Sequence, residues 1–252
     1  IILIVLQTVA VAFAMFSALP MPQFDWNEKN MRYALCAFPL VGVVCGALCS
    51  LCGLLPLPAA VKAAGLCLLP VWVTGGIHLD GYADTCDALA SYGEPAKKLE
   101  ILKDPHCGAF AVIRLCSYFV AYAALCACVP FTPRVGAVWT LALVGERALS
   151  ALAIAAFPMA KNTGLAHTFA TAADRARVRK ILTVLCVAVS AALVALHGGA
   201  LVLAAGCVFA RYFFVAKRQF GGITGDLAGW FLQKCEIWML AALAACLWLG
   251  VL

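Results

Sequence analysis

YALCAFPLVGVVCGALCSLCGLL, residues 33–55, contains no Asp, Glu, Lys, Arg or His. A helix needs about 20 apolar residues to cross the hydrocarbon core of a bilayer, and this stretch supplies them. Seven further apolar runs flank it, approximately at 1–19, 58–74, 108–130, 135–157, 181–197, 198–215 and 227–252. The chain is 65% hydrophobic and 12% charged, with a mean hydropathy of +1.00, whereas soluble domains carry roughly a quarter charged residues. The expected architecture is an all-α, polytopic helical bundle integral to the membrane, with about eight transmembrane segments. Too little polar sequence lies between the runs for a separate soluble domain, so residues 1–252 read as one domain. The first run lacks a basic start and a small-residue cleavage site, and therefore reads as a spanning helix, not a removed signal peptide. The fourteen cysteines lie mostly inside apolar runs (Cys45, Cys49, Cys52, Cys126 and Cys128 among them), where cysteine behaves as a small hydrophobe.

If every run spans, the four long polar connections (20–32, 75–107, 158–180 and 216–226) share one side. They carry Lys29, Arg32, Lys97, Lys98, Lys103, Lys161, Arg175, Arg177, Arg179, Lys180, Lys217 and Arg218, while the opposite connections carry only Arg134. Basic residues concentrate in cytoplasmic loops, which places the four long connections in the cytoplasm. The net charge of +6 then belongs mainly to this rim, whose partner is the anionic lipid headgroup layer, not nucleic acid.

The chemistry-bearing residues fall on the same side. In GGIHLDGYADTCDALA (75–90) three carboxylates occupy eight residues, in a chain with twelve acidic residues in all. At 100° per residue, a helix places Asp84 about 40° and Asp87 about −20° from Asp80, on one narrow face. Like charges so close call for a proton, a basic partner or a cation, and Mg²⁺ takes carboxylate oxygens while keeping positions open for substrate phosphates. His78 and His106 flank the acidic stretch and are candidates for moving a proton. Lys103-Asp104 follows it, and Lys161-Asn162-Thr163-Gly164 lies in the next long connection. The last connection holds Arg218, then Gly221-Gly222-Ile223-Thr224-Gly225-Asp226. Glycine pairs beside charged groups let backbone N–H groups approach an anion. Within the bilayer, Glu146, Arg147 and Arg114 are costly unless paired or facing a wet cavity; Glu146 and Arg147 are adjacent, and helix neighbours one apart do not face each other, so partners elsewhere are expected. A metal-bridged diphosphate site at the membrane surface, suited to phosphoryl or phosphonucleotide transfer, is what these residues support.

At these positions the chain resembles the cobalamin synthases, also called adenosylcobinamide-GDP ribazoletransferases. The match rests on Gly76-Ile77-His78-Leu79-Asp80-Gly81-Tyr82-Ala83-Asp84-Thr85-Cys86-Asp87. It continues through Leu99 to Asp104, Gly108-Ala109-Phe110, Gly164-Leu165 and Gly221 to Asp226. Ala88, Ala111 and Ala166 stand where that family commonly has glycine. The resemblance implies a multi-pass enzyme of the bacterial inner (cytoplasmic) membrane, its active site facing the cytoplasm. It would join adenosylcobinamide-GDP to α-ribazole, or its 5′-phosphate, and release GMP with Mg²⁺ as cofactor. On that footing Asp80, Asp84 and Asp87 are expected to hold Mg²⁺, with Asp226 completing the metal shell. Lys103, Arg147, Lys161 and Arg218 are expected to bind phosphate oxygens alongside Gly221, Gly222 and Thr224, with His78 and Asp104 as alternative general bases. The implied partners are the two small-molecule substrates and the lipid bilayer, and a homo-oligomer is compatible with the sequence.

Two rival classes share part of this pattern. CDP-alcohol phosphotransferases follow Asp-Gly-x-x-Ala with Arg, whereas Asp80-Gly81-Tyr82-Ala83 is followed by Asp84. A membrane transporter would place its essential charges through the midplane, whereas most of these lie at one surface.

Overall fold

All eight apolar runs are helices in the computed structural model, which describes residues 2–252. In chain order the elements are α1 (Ile2–Phe16), α2 (Glu28–Met31), α3 (Ala34–Leu54), α4 (Ala59–Thr74), α5 (Ile77–Ala90), α6 (Pro95–Ile101) and α7 (Ala109–Ala127). They continue with α8 (Pro133–Ala156), α9 (Leu165–Ala172), α10 (Arg175–Ala195), α11 (Gly199–Val215), a π-helical turn (Ala216–Phe220) and α12 (Gly225–Trp248). Six of these helices are long and apolar enough to cross a membrane on their own. The expected count of eight is therefore approximate: α1 has only 15 residues, and α4 reaches spanning length only together with α5, from which it is bent by 94°.

Local sequence sets the helix ends. Thr132, Asp174 and Thr224 each accept a hydrogen bond from a backbone N–H in the first turn of α8, α10 and α12, the ordinary role of a short oxygen-bearing side chain at an N-cap. The α4–α5 bend has an equally local cause. Gly75 and Gly76 both take left-handed backbone angles, with φ of 65° and 78°, which glycine adopts without the Cβ penalty. The chain thus turns sharply after Thr74, and α5 packs against α12 and α7.

Close backbone approach holds the centre together. A methyl group on Gly42 would meet the Leu143 carbonyl oxygen at 2.5 Å, and one on Gly46 would meet Thr140 at 2.5 Å. So α3 and α8 pack through small residues, as helices in lipid commonly do. Outward, the pattern inverts that of a soluble protein. Val120, Val184, Leu203 and Trp238 are exposed along helices of spanning length, while Glu146, Arg147 and Glu236 are buried. All fourteen cysteines are free; Cys45, Cys49 and Cys126 are buried, Cys52 half-buried and Cys128 exposed.

One ion pair and one hydrogen bond link the long connections in pairs. Arg32 donates to Asp174 at 2.9 Å and Lys98 donates to Gln219, tying the four long connections together pairwise. Arg134 donates to the carbonyl of Leu196, beside the opposite connection between α10 and α11. The basic stretch Arg175–Lys180 forms the opening turns of α10.

Candidate active site

Where α5 crosses α12, both helices lack side chains at the contact. A methyl group on Gly81 would lie 2.8 Å from the backbone of Asp226, and one on Gly229 would lie 2.7 Å from the carbonyl oxygen of His78. This crossing sets the first half of the acidic stretch against the glycine-rich segment from 145 residues further on. That segment is in turn stitched to the third long connection. Ala160 donates to the Ile223 carbonyl and Ile223 donates to the Pro158 carbonyl, both at 2.9 Å, in an isolated parallel bridge between Met159 and Ile223. Gly222 makes this possible, since any Cβ there would sit 2.6 Å from the backbone nitrogen of Ala160.

The three stretches enclose a cavity of about 410 Å³. Its polar wall carries Asp80, Lys103, Lys161, Thr163, Thr224 and Asp226; its apolar wall includes Phe16, Phe38, Ile154, Phe169 and Leu232. His78 and Ser150 also line it. On the other side of α5 is an open groove of about 570 Å³ lined by Asp80, Asp84, His106, Leu115 and Phe119, among others. Asp80 borders both spaces.

Of the expected metal ligands, Asp80 and Asp226 share the cavity, and Asp80 and Asp84 share the groove. Asp87 packs beside Gly108 at the start of α7, where any Cβ would overlap its carboxylate. The carboxylates feel one another: partial burial, and then the charges of Asp80, Asp226 and Asp87, push the pKa of Asp84 up to about 6, with Lys161 opposing. Among the described residues, no three His, Cys, Asp or Glu side chains converge tightly enough to form a metal cluster. As a donor set, hard carboxylate oxygens with mutual repulsion fit a divalent cation shared with a phosphorylated ligand.

Other expectations fare differently. Lys103, Lys161 and Thr224 line the cavity, and Thr224 also caps α12 and contacts Asp226 at 3.3 Å. Gly221 and Gly222 shape the turn without lining the cavity. Asp104 is exposed and accepts from His106 at Nδ1 (2.6 Å) and at the backbone nitrogen (3.0 Å); this pairing holds the Asp104 carboxyl below the usual carboxylate range. Asp104 lies outside both spaces, although His106 lines the groove. Arg218 is exposed and stacks over the ring of Phe214 at 5.8 Å, away from the cavity.

Arg147 requires a correction. Its guanidinium is fully buried and contacts Glu146 Oε1 at 2.6 Å, Glu236 Oε1 at 3.4 Å and the Leu143 carbonyl at 3.1 Å. It is an interhelical cation joining α8 to α12, not a phosphate ligand. Adjacent Glu146 does reach it, contrary to the expectation from helix geometry, because long side chains can fold back along a buried surface. Glu236 is the partner that sequence reasoning missed. A charged residue amid the last apolar run was the available signal, since such charges demand pairing.

The family description "Cobalamin-5-phosphate synthase" matches residues 8–244. The chain is 40% identical to an adenosylcobinamide-GDP ribazoletransferase of Lachnoclostridium phytofermentans, over 98% of this chain and 96% of the relative. Proteins of the same name from Geobacillus sp. (86% and 87% covered) and Stutzerimonas stutzeri (93% and 96% covered) are each 33% identical to it. No solved structure matches it.

Proposed function

The chain belongs to the cobalamin-5-phosphate synthase family, and from that premise we propose that it joins adenosylcobinamide-GDP to α-ribazole, or to its 5′-phosphate, releasing GMP. As a multi-pass membrane enzyme it would work at the cytoplasmic face of a bacterial inner membrane. That is the side where its long connections and most of its basic residues gather. The observation that carries this reading is the convergence of Lys103, Lys161, Asp80 and Asp226 on one cavity, drawn from three connections far apart in sequence.

An acceptor hydroxyl attacks the phosphorus nearer the corrinoid, the phosphoanhydride bond to the second phosphorus breaks, and GMP departs with that phosphate. Lys103 and Lys161 supply fixed positive charge for the phosphate oxygens, where charge develops as the leaving group separates. Asp80, Asp84 and Asp226, with Asp87 behind them, would hold Mg²⁺, whose chemistry is to neutralise the diphosphate. The attacking hydroxyl must lose its proton. Of the two expected bases, His78 borders the cavity and Asp104 does not; His78 is itself largely buried, and Asp80 and Asp226 are the carboxylates that share the cavity with the acceptor. Purified protein in detergent, given both substrates, should form the cobalamin product and GMP in equal amounts. Failure to form either would refute the proposal.

A further inference from the structure

Arg114, a cation well inside the fourth apolar run, takes no part in the buried Arg147 network. It lies five residues after Ala109, the start of α7, and is exposed. Two further cations sit at comparable depth. Arg211 is exposed on α11, nine residues before Phe220 at the end of the π-helical turn. Lys234 is half-buried on α12, nine residues after Gly225. At about 1.5 Å per residue, the three lie roughly 7–14 Å along their helices from the ends that join the long connections. Both α7 and α11 pack on α12, and the charges of Arg114 and Arg211 both act on Lys234. Among the described residues, none of the three forms an ion pair. Lys234 Nζ lies over the ring of Tyr82 at 5.5 Å, a contact that orients the ammonium without neutralising it. Asp87 belongs to the same neighbourhood, but a single carboxylate leaves three cations with a surplus of positive charge.

A cation at such depth in a spanning helix is costly unless an anion or water meets it. None of the three lines the cavity or the groove beside Asp80, so the substrates' phosphates do not supply that anion. The surface around them is apolar and open. Trp238, four residues on from Lys234 and therefore on the same face of α12, is 58% exposed. On α7, Ser117 and Ala121, three and seven residues on from Arg114, are exposed small side chains on its face. We propose that Arg114, Arg211 and Lys234 together bind the phosphate of an anionic phospholipid, whose acyl chains run past Trp238 and the small side chains of α7. Long Arg and Lys side chains reach up to the headgroup layer while their stems stay in apolar surroundings. Guanidinium groups take phosphate oxygens two at a time, and basic pockets between spanning helices suit anionic headgroups. A lipid, and not free phosphate, is the occupant, because the approach lies over apolar surface that includes Ile113 and Trp238. An anionic headgroup fits better than a zwitterionic one, which brings a cation of its own to a place already rich in them.

The test is native mass spectrometry of the detergent-purified protein, equilibrated with micelles that hold equal amounts of dioleoylphosphatidylglycerol and dioleoylphosphatidylcholine. The wild-type protein should retain phosphatidylglycerol in preference to phosphatidylcholine, and millimolar inorganic phosphate should leave the bound lipid in place. Each cation near a charged lipid surface changes affinity about fivefold. Arg114→Gln, Arg211→Gln and Lys234→Gln should therefore each lower the preference by about that factor, and the triple variant should abolish it. Lys180→Gln, in the basic opening turns of α10, is the control for general attraction to headgroups and should keep the preference. Arg114→Lys and Arg211→Lys, which keep the charge, should bind the lipid better than the Gln variants if the latter fold poorly. The comparison of the two lipids on the wild-type protein needs no variant at all. Equal retention of both lipids by the wild-type protein, or an undiminished preference in the triple variant, would overturn the site. An equal loss in Lys180→Gln would reduce it to the general charge of the rim, and displacement by phosphate would assign the cations to a free anion; either result contradicts the proposal.

Discussion

Replacing Gly81 with alanine probes the contact on which the whole site depends. The added methyl would lie 2.8 Å from both Cα and the carbonyl oxygen of Asp226, about 0.6 Å inside the 3.4 Å where ordinary contact begins. The obstacle is backbone, so no side chain can swing aside, and α5 and α12 must separate. Against this, alanine is better than glycine inside a helix by about 1 kcal/mol. Overpacking of a tight interface costs about 1–3 kcal/mol, so the net effect is destabilisation by up to about 2 kcal/mol. The effect on turnover should be larger, because a displacement on the order of 1 Å in a catalytic arrangement can cost about 100-fold. The assay pairs thermal unfolding in detergent with turnover. Gly206→Ala in α11 is the control, since nothing lies within 4 Å of its added methyl. It should leave turnover intact and match or slightly raise thermal stability. Wild-type turnover and stability in Gly81→Ala would refute the close crossing of α5 and α12, and with it the juxtaposition of Asp80 and Asp226.

Three other perturbations test separate parts of the structure. Glu236→Ala removes one of the two carboxylates from the fully buried Arg147 while Glu146 stays against it, and should destabilise the protein by about 1–3 kcal/mol in thermal or denaturant unfolding, the cost of a buried donor left without its acceptor; Glu236→Gln, which keeps a hydrogen-bond acceptor, should cost less, and equal effects would contradict this contact. Lys161→Gln should lower kcat/KM by about 10- to 100-fold with little change in unfolding temperature, as expected for loss of a charge-assisted contact in the transition state; unchanged kinetics would remove Lys161 from the site. Asp84→Asn should reduce turnover strongly and raise the Mg²⁺ concentration needed for half-maximal rate, and near-normal turnover would refute its role in holding the metal.

The membrane bundle was legible because hydropathy acts over whole helices. The eight runs fall on eight helices, and the four long connections that carry most of the Lys and Arg meet in pairs. What remained hidden were features set by long-range packing. The acidic stretch marks a helix, but only the paired left-handed glycines at 75 and 76 turn that helix away from α4, and periodicity carries no bend angle. Lys161 and Asp226 were recognisable as polar residues near glycines; their meeting depends on the Met159–Ile223 bridge, which has no local signature. Arg147 illustrates the opposite case. Its residue type suited phosphate binding, yet its depth in α8 and the remote Glu236 commit it to the protein interior.

The most direct measurement is incubation of the purified protein with adenosylcobinamide-GDP and α-ribazole, with Mg²⁺ and with excess chelator, followed by chromatography of the products. A cobalamin product and equimolar GMP that appear with Mg²⁺ and vanish with chelator are the expected result. GMP release that ignores the acceptor, or a product yield that ignores the metal, would contradict a shared carboxylate site between the two substrates.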